Sequence, residues 1–456
     1  MNFPETIEYL LSLGHETVAI KLGLRNTQVL LEALGNPHTS FQSVQIAGTN
    51  GKGSTAVMLE SICRSADIAP GLYTSPHLIS ITERIRINGA NISENDFAKH
   101  ATRVRAAAES LLDLRTLETL PTFFEQVTAI ALVAFREAGV NLAILETGLG
   151  GRLDATTVAG ANTVAITPVS LDHQEYLGET LAEIASEKAA IIRPGVTAVI
   201  ARQPAEALAV ILRRCAEVSV EPDLERQASI EATTDDGHFK VTFESREVSY
   251  DNVLLGLRGR HQITNAMVAI QLAESLRKQG FEIPKDAVVA GIEQAQHAGR
   301  LELFQGQPSV LLDGAHNPSG AQALRDYLAE FAKAPITLVF GAMNDKRLEE
   351  IAEVLFPLAD LLILTQPDNP RAARVDELVE LAARFVSPDK IVSSNSVPEA
   401  VALAKSLTQP DGTVCVTGSL YLVGETMAIM NAVISGSPQR LQRNTEDERR
   451  NKQPAI

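Results

Sequence analysis

The sequence predicts an α/β protein of two unequal domains, each built on a mostly parallel sheet, and three observations support this. Apolar strand-like runs alternate with helix-like runs over most of the chain, the signature of parallel strands joined by crossover helices. The 456 residues exceed what one hydrophobic core supports. Finally, Val44-Gln-Ile-Ala-Gly-Thr-Asn-Gly-Lys-Gly-Ser-Thr55 sets three glycines around one lysine, between an apolar strand and a helix-forming stretch. Such a loop turns backbone N–H groups and a helix N-terminus toward an anion, usually a nucleotide phosphate.

In the first half, strands are expected at 43–47, near 70–74, at 141–146 and at 163–169, with helices at 53–66, 94–113, 123–138 and 180–191. Residues 225–255 alternate in polarity and read as an antiparallel excursion, after which helix signals return at 262–279. Gln296-His-Ala-Gly-Arg-Leu301 reads as a hinge. A second alternating block follows, with strands at 308–313, 336–341, 360–365, 390–393 and 412–417 and helices at 319–333 and 347–356. The expected organisation is 1–296 as the larger nucleotide-binding domain, 297–434 as a smaller Rossmann-like α/β domain, and 435–456 as a polar, disordered tail.

Composition narrows the function. A net charge of −16 argues against nucleic acid or an anionic membrane as partner. Three widely spaced cysteines without a C-x-x-C argue against disulfides and structural zinc. No signal-type start and no apolar run of membrane-spanning length is seen, so a soluble, cytoplasmic protein is expected.

Chemistry-bearing residues fall at strand ends. In the glycine loop Lys52 can reach terminal phosphates, and Ser54 or Thr55 can hold Mg²⁺. Leu142-Ala-Ile-Leu145 ends in Glu146, followed by Thr-Gly-Leu-Gly-Gly-Arg-Leu-Asp154, and the next strand leads to Asp172-His173. Carboxyl ends of parallel strands are where open α/β sheets bind ligands, so Glu146 and His173 are candidate metal ligands beside the phosphate loop. Ser75, in Tyr73-Thr-Ser-Pro-His-Leu78 and placed one strand over from that loop, is a further candidate oxygen ligand. Lys188 sits in a rather apolar turn, and composition alone favours a solvated helix lysine there. In the second block Asp313-Gly-Ala-His316-Asn317-Pro318 repeats the strand-then-acid-and-His pattern, with helix capping by Asp313 or Asn317 as the plain alternative. Arg300 in the hinge is placed to meet phosphates.

Taken together, Gly48-Thr-Asn-Gly-Lys-Gly-Ser, Tyr73-Thr-Ser-Pro-His-Leu, Glu146-Thr-Gly-Leu-Gly-Gly-Arg-Leu-Asp-Ala-Thr, Leu171-Asp-His, Glu187-Lys-Ala-Ala-Ile-Ile and Asp313-Gly-Ala-His-Asn-Pro resemble the folylpolyglutamate synthase/dihydrofolate synthase family of Mur-type ligases. The resemblance covers roughly 15–430 and implies an N-terminal P-loop Mur-ligase-type ATPase domain. It implies ATP-dependent addition of L-glutamate to dihydropteroate and to folates through an acyl phosphate, by a monomer. Thr49, Asn50, Gly51, Lys52, Gly53 and Ser54 would hold ATP, with Asn265, Arg300 and Asp313. Ser54, Ser75 and Glu146 would surround one Mg²⁺, and Glu146 and His173 would share a second. Lys188 matches the family's carbamylated lysine, and His316 would lie near the glutamate chemistry. Gly23, Leu24, Thr122, Phe123, Phe124, Glu125, Leu153, Asp154 and Ala155 would line the pterin site, with either phenylalanine stacking on the ring or lying in a helix core. The hinge departs from the family, reading His297-Ala-Gly-Arg300 where many relatives have Trp-Pro-Gly-Arg. A ligase that only extends the glutamate tail is the nearest rival. A cell-wall Mur ligase is disfavoured because only residues 1–47 precede Gly48.

Overall fold

The computed structural model describes residues 1–14, 23–246 and 248–434, so the tail 435–456 and the Lys21-Leu22 flank of the first pterin segment lie outside the described residues. The chain divides into two compact units: Met1–Thr234 with His238–His297, and Asp235–Gly237 with the chain from Ala298 onward.

In the first unit, strands β1 (Gln42–Ala47), β2 (Pro70–Tyr73), β3 (Ile85–Ile87), β4 (Ala90–Asn91), β5 (Leu142–Glu146), β6 (Thr163–Ile166), β7 (Thr197–Ile200) and β8 (Pro222–Leu224) form one sheet, ordered β4-β3-β2-β5-β1-β6-β7-β8. All pairings are parallel except those of β3 and β4 at one edge. β5 and β6 are buried throughout, and their apolar runs Leu142–Leu145 and Val164–Ile166 suit strands covered on both faces. Ala47, Ala143, Leu145, Val164 and Ile166 point into apolar clusters with the helices Phe123–Ala138 and Leu181–Ala189. The helix Lys52–Ser65, buried from Ser54 to Cys63, packs on His261–Lys278 and on the sheet. A separate antiparallel sheet of β9 (Ala228–Thr233), β10 (Phe239–Glu244) and β11 (Ser249–Leu254) buries Phe239, Val241 and Phe243 on one face.

The second unit carries β12 (Glu302–Phe304), β13 (Ser309–Leu312), β14 (Ile336–Phe340), β15 (Leu361–Leu364), β16 (Ile391–Ser393) and β17 (Thr413–Thr417), ordered β12-β13-β17-β14-β15-β16. Only β12 is antiparallel to its neighbour. The three cysteines, on the helices Lys52–Ser65 and Ala205–Glu217 and on β17, are free and buried. Among the described residues no helix is long and apolar enough to cross a membrane.

Several expectations need correction. The strand expected over 163–169 stops at Ile166, because Pro168 has no N–H to continue the ladder. Its carbonyl instead accepts from the N–H groups of Thr49 (3.0 Å) and Asn50 (3.2 Å). Ser75 is not one strand over from the phosphate loop: β5 lies between β2 and β1. A short strand the sequence reading did not place, β12, begins directly after the hinge at Glu302. The sequence reading also passed over Phe3–Ser12, β7, the helix Ala205–Glu217 and the helix Lys285–Gln294.

Candidate active site

The glycine loop connects β1 to the N-terminus of the helix Lys52–Ser65, at the sheet's centre and between the carboxyl ends of β5 and β6. Gly51 takes φ +86°, and a Cβ there would stand 2.2 Å from Asn265 Oδ1, so both backbone and space demand glycine. Lys52 Nζ donates to the carbonyls of Gly48 (3.2 Å) and Thr49 (3.1 Å), folding the side chain over the loop. Thr49 Oγ1 donates to Ser170 O (3.0 Å) and accepts from Ser170 N–H (3.1 Å), while Asn50 Nδ2 donates to Ser170 Oγ (3.3 Å). The loop is thereby tied to the segment after β6.

Glu146 ends β5 and is buried, with Oε2 accepting from Ser75 N–H at 3.2 Å. A Cβ on Gly53 would lie 3.3 Å from the same oxygen, which places the carboxylate against the start of the helix. Ser75 thus meets Glu146 through its backbone. Lys188 is neither in a turn nor solvated, as composition had favoured: it lies in the helix Leu181–Ala189 and is 4% exposed. Its Nζ donates to Gly48 O at 2.8 Å. Burial, helped by the positive charge of Lys52 and opposed by Asp172 and Asp154, pulls its pKa down to about 7. His173 adopts φ +50° at the start of the short helix Gln174–Leu177, with its ring about one-third exposed and Nε2 3.9 Å from Asp172 Oδ1.

Asn265, Gln262 and His297 complete this region, and the sequence reading missed the last two as a pair. Asn265 Nδ2 donates to Gln262 Oε1 (2.8 Å), Gln262 Nε2 donates to Ser54 Oγ (3.3 Å), and Ser54 Oγ is 3.2 Å from His297 Nδ1. The family spelling around Asn265 and the odd histidine in the hinge were the available signals.

The residues assigned to the pterin separate into two kinds. Thr122 caps the helix Phe123–Ala138 in a box with Glu125, whose other oxygen accepts from Thr27 Oγ1 at 3.1 Å. Asp154 is buried and accepts from the N–H groups of Leu149 (2.9 Å) and Thr156 (3.0 Å), starting the turn Ala155–Ala159. Burial raises its pKa against those bonds. Phe123 lies in the core with the Arg84 guanidinium 5.4 Å from its ring centre. Phe124 is half-buried, 6.0 Å from the Tyr73 ring and closed over Gly148, where a Cβ would be 2.5 Å from Phe124 Cζ. Leu153 is half-buried beside Asp154, and Gly23 and Leu24 are half-buried ahead of the helix Arg25–Ala33. Of the two phenylalanines, Phe124 is the one with an accessible ring.

In the second unit Asp313 follows β13, its two oxygens accepting from Leu301 N–H and Ala315 N–H, each at 2.9 Å. Burial raises its pKa, opposed by Arg300 and the two N–H groups. Arg300 Nη1 donates to Gly314 O (3.4 Å), and so does His316 Nδ1 (2.8 Å). Asn317, not Asp313, caps the helix Pro318–Phe331.

Two family models match this chain: the Mur ligase middle domain over residues 46–273, half of the chain, and the Mur ligase glutamate ligase domain over 299–420. A dihydrofolate synthase/folylpolyglutamate synthase of Mycobacterium tuberculosis is 33% identical over 448 residues, covering 94% of this chain and 91% of the relative. The chain belongs to the folylpolyglutamate synthase/dihydrofolate synthase family of Mur ligases. A Haloferax volcanii relative, "Probable bifunctional folylpolyglutamate synthase/dihydropteroate synthase", is 35% identical over 93% of this chain, which spans about half (50%) of that relative's length. A solved bifunctional folylpolyglutamate synthase/dihydrofolate synthase with Mn, AMPPNP and L-glutamate bound has a TM-score of 0.81 and 28% identity, covering 94% of this chain and 98% of that one.

The phosphate loop of this Mur ligase suits a hard divalent cation. Its donors are oxygens: the buried Glu146 carboxylate against Gly53, and the Ser54 hydroxyl in the first helical turn. Among the described residues no three His, Cys, Asp or Glu side chains gather into a cation site.

Proposed function

We propose that this Mur ligase joins L-glutamate to dihydropteroate and to the glutamate tail of tetrahydrofolate at the expense of ATP. The observation that carries this reading is the convergence of Lys52 and Lys188 on the Gly48 carbonyl, beside the strand end that presents Glu146. A carboxylate oxygen of the acceptor attacks the γ-phosphorus of ATP, the bond to the β–γ bridging oxygen breaks, and ADP departs. The glutamate amine then attacks the acyl carbon, the C–O bond to phosphate breaks, and an amide, inorganic phosphate and a proton result.

Thr49 to Ser54 cradle the triphosphate, and Lys52 meets the charge on the transferring phosphoryl group, where preorganised electrostatics contribute most. Ser54, Ser75 and Glu146 would hold one Mg²⁺, and Glu146 and His173 would share a second; the cations would supply charge to neutralise phosphate oxygens. Lys188, whose lowered pKa leaves a substantial share of neutral amine near pH 7, adds CO₂ to become an N-carboxylate and releases a proton. Asn265 and Arg300 are assigned to the nucleotide, with Asp313 bracing the loop beside Arg300 through Leu301 N–H, and His316 to the glutamate step. Phe124 is the ring that stacks on the pterin, along the surface of Gly23, Leu24, Thr122, Glu125 and Leu153–Ala155. The chain acts as a cytoplasmic monomer, which its free buried thiols suit.

The test is ADP release with Mg-ATP and L-glutamate, adding either dihydropteroate or tetrahydrofolate. Turnover with both, and none without glutamate, is expected. Turnover with tetrahydrofolate alone reduces the enzyme to tail extension, and silence with both overturns the reading.

A further inference from the structure

We propose that His297 is the positioning residue that turns a lone pair of the Ser54 hydroxyl toward the nucleotide-bound cation. The inference rests on the phosphate-loop reading above and follows from counting donors and acceptors around one oxygen. In the structure Gln262 Oε1 accepts from Asn265 Nδ2 at 2.8 Å, and its amide nitrogen faces Ser54 and His261. That nitrogen is a donor only, and its bond to Ser54 Oγ (3.3 Å) occupies one of the two hydroxyl lone pairs.

The direction of the hydroxyl hydrogen then decides what remains. His297 Nδ1 lies 3.2 Å from Ser54 Oγ, and with that nitrogen unprotonated the hydroxyl donates to it. The second lone pair is left for the cation. With the proton on Nδ1 instead, the ring would donate to Ser54, both lone pairs would be engaged, and the hydroxyl hydrogen would face the cation. The ring is also seated against the loop, since a Cβ on Gly53 would come within 2.8 Å of His297 Cε1. Ser54, Gln262 and Asn265 are all buried, so no competing bulk water reorients the group. The imidazole itself touches neither nucleotide nor acceptor in this scheme; it acts through Ser54.

The experiment is a titration of AMPPNP binding at increasing Mg²⁺ on the full chain, read by calorimetry. His297→Phe keeps a ring but loses the acceptor, and it should need about five- to tenfold more Mg²⁺ for half-maximal binding, the scale of one neutral hydrogen bond. His297→Asn offers a carbonyl oxygen near the place of Nδ1 and should return to within about twofold of wild type. Melting of the nucleotide-free protein should be the same in all three. A wild-type Mg²⁺ midpoint in His297→Phe overturns the inference, as does a loss in His297→Asn equal to that in His297→Phe. If wild type itself binds AMPPNP without regard to Mg²⁺, the phosphate-loop reading falls and takes the inference with it.

Discussion

Glu146 and Asp313 hold corresponding places in their units, each at the carboxyl end of a buried parallel strand, yet they do different work. Asp313 turns back on its own loop, accepting from Ala315 N–H two residues on and from Leu301 N–H. Asp154 makes the same short return to Thr156. Glu146 is one methylene longer, and its carboxylate lies against the helix start at Gly53. Short acids after strands favour Asx-type turns and build the scaffold, whereas a longer one clears its own backbone and can serve a ligand.

The sharpest way to break this contrast is to remove the charge at Glu146. Glu146→Gln preserves shape and should lower kcat by about 10³-fold, the loss of one preorganised electrostatic group, with melting temperature nearly unchanged. ADP-release kinetics and calorimetry check it together; a mutant that melts early but turns over normally would assign Glu146 to the scaffold.

Lys188 supplies a second, pH-linked contrast between site and scaffold. Its pKa is near 7 folded against an ordinary 10.5, so between those values the unfolded chain binds the extra proton and stability rises with pH. In CO₂-free buffer the gain should approach about 1.4 kcal/mol per pH unit from this group, and Lys188→Met should flatten it. Denaturant melts at pH 7 and pH 9 test the sign, and equal slopes in both proteins would show that Lys188 is not buried as an amine.

The smallest effect is expected at Asp313. Asp313→Asn keeps one acceptor oxygen but sets an amide donor against a backbone N–H, costing about 1–3 kcal/mol of stability. Wild-type stability with a collapse in kcat would instead make it a nucleotide contact and dissolve the comparison.

The sequence made the phosphate loop, its strand and its helix legible because their signals are local: apolar runs and glycines within about a dozen residues. Glu146 was legible for the same reason. The partners of Ser54 were not, since Gln262 and His297 are brought there from far along the chain. Lys188 looked solvated because a helix lysine usually is, while the Gly48 carbonyl that meets its buried amine lies 140 positions away. The place of Ser75 required the strand order, which periodicity does not encode.

The three cysteines have a practical consequence. Burial pushes the Cys63 thiol up to about 12, Cys415 well above its usual value and Cys215 upward, so thiolate is scarce and shielded in all three. Maleimide dyes should therefore find almost no native background. Two cysteines introduced at exposed sites, one in each unit, would make the unaltered remainder of the chain ready for single-molecule energy transfer during turnover.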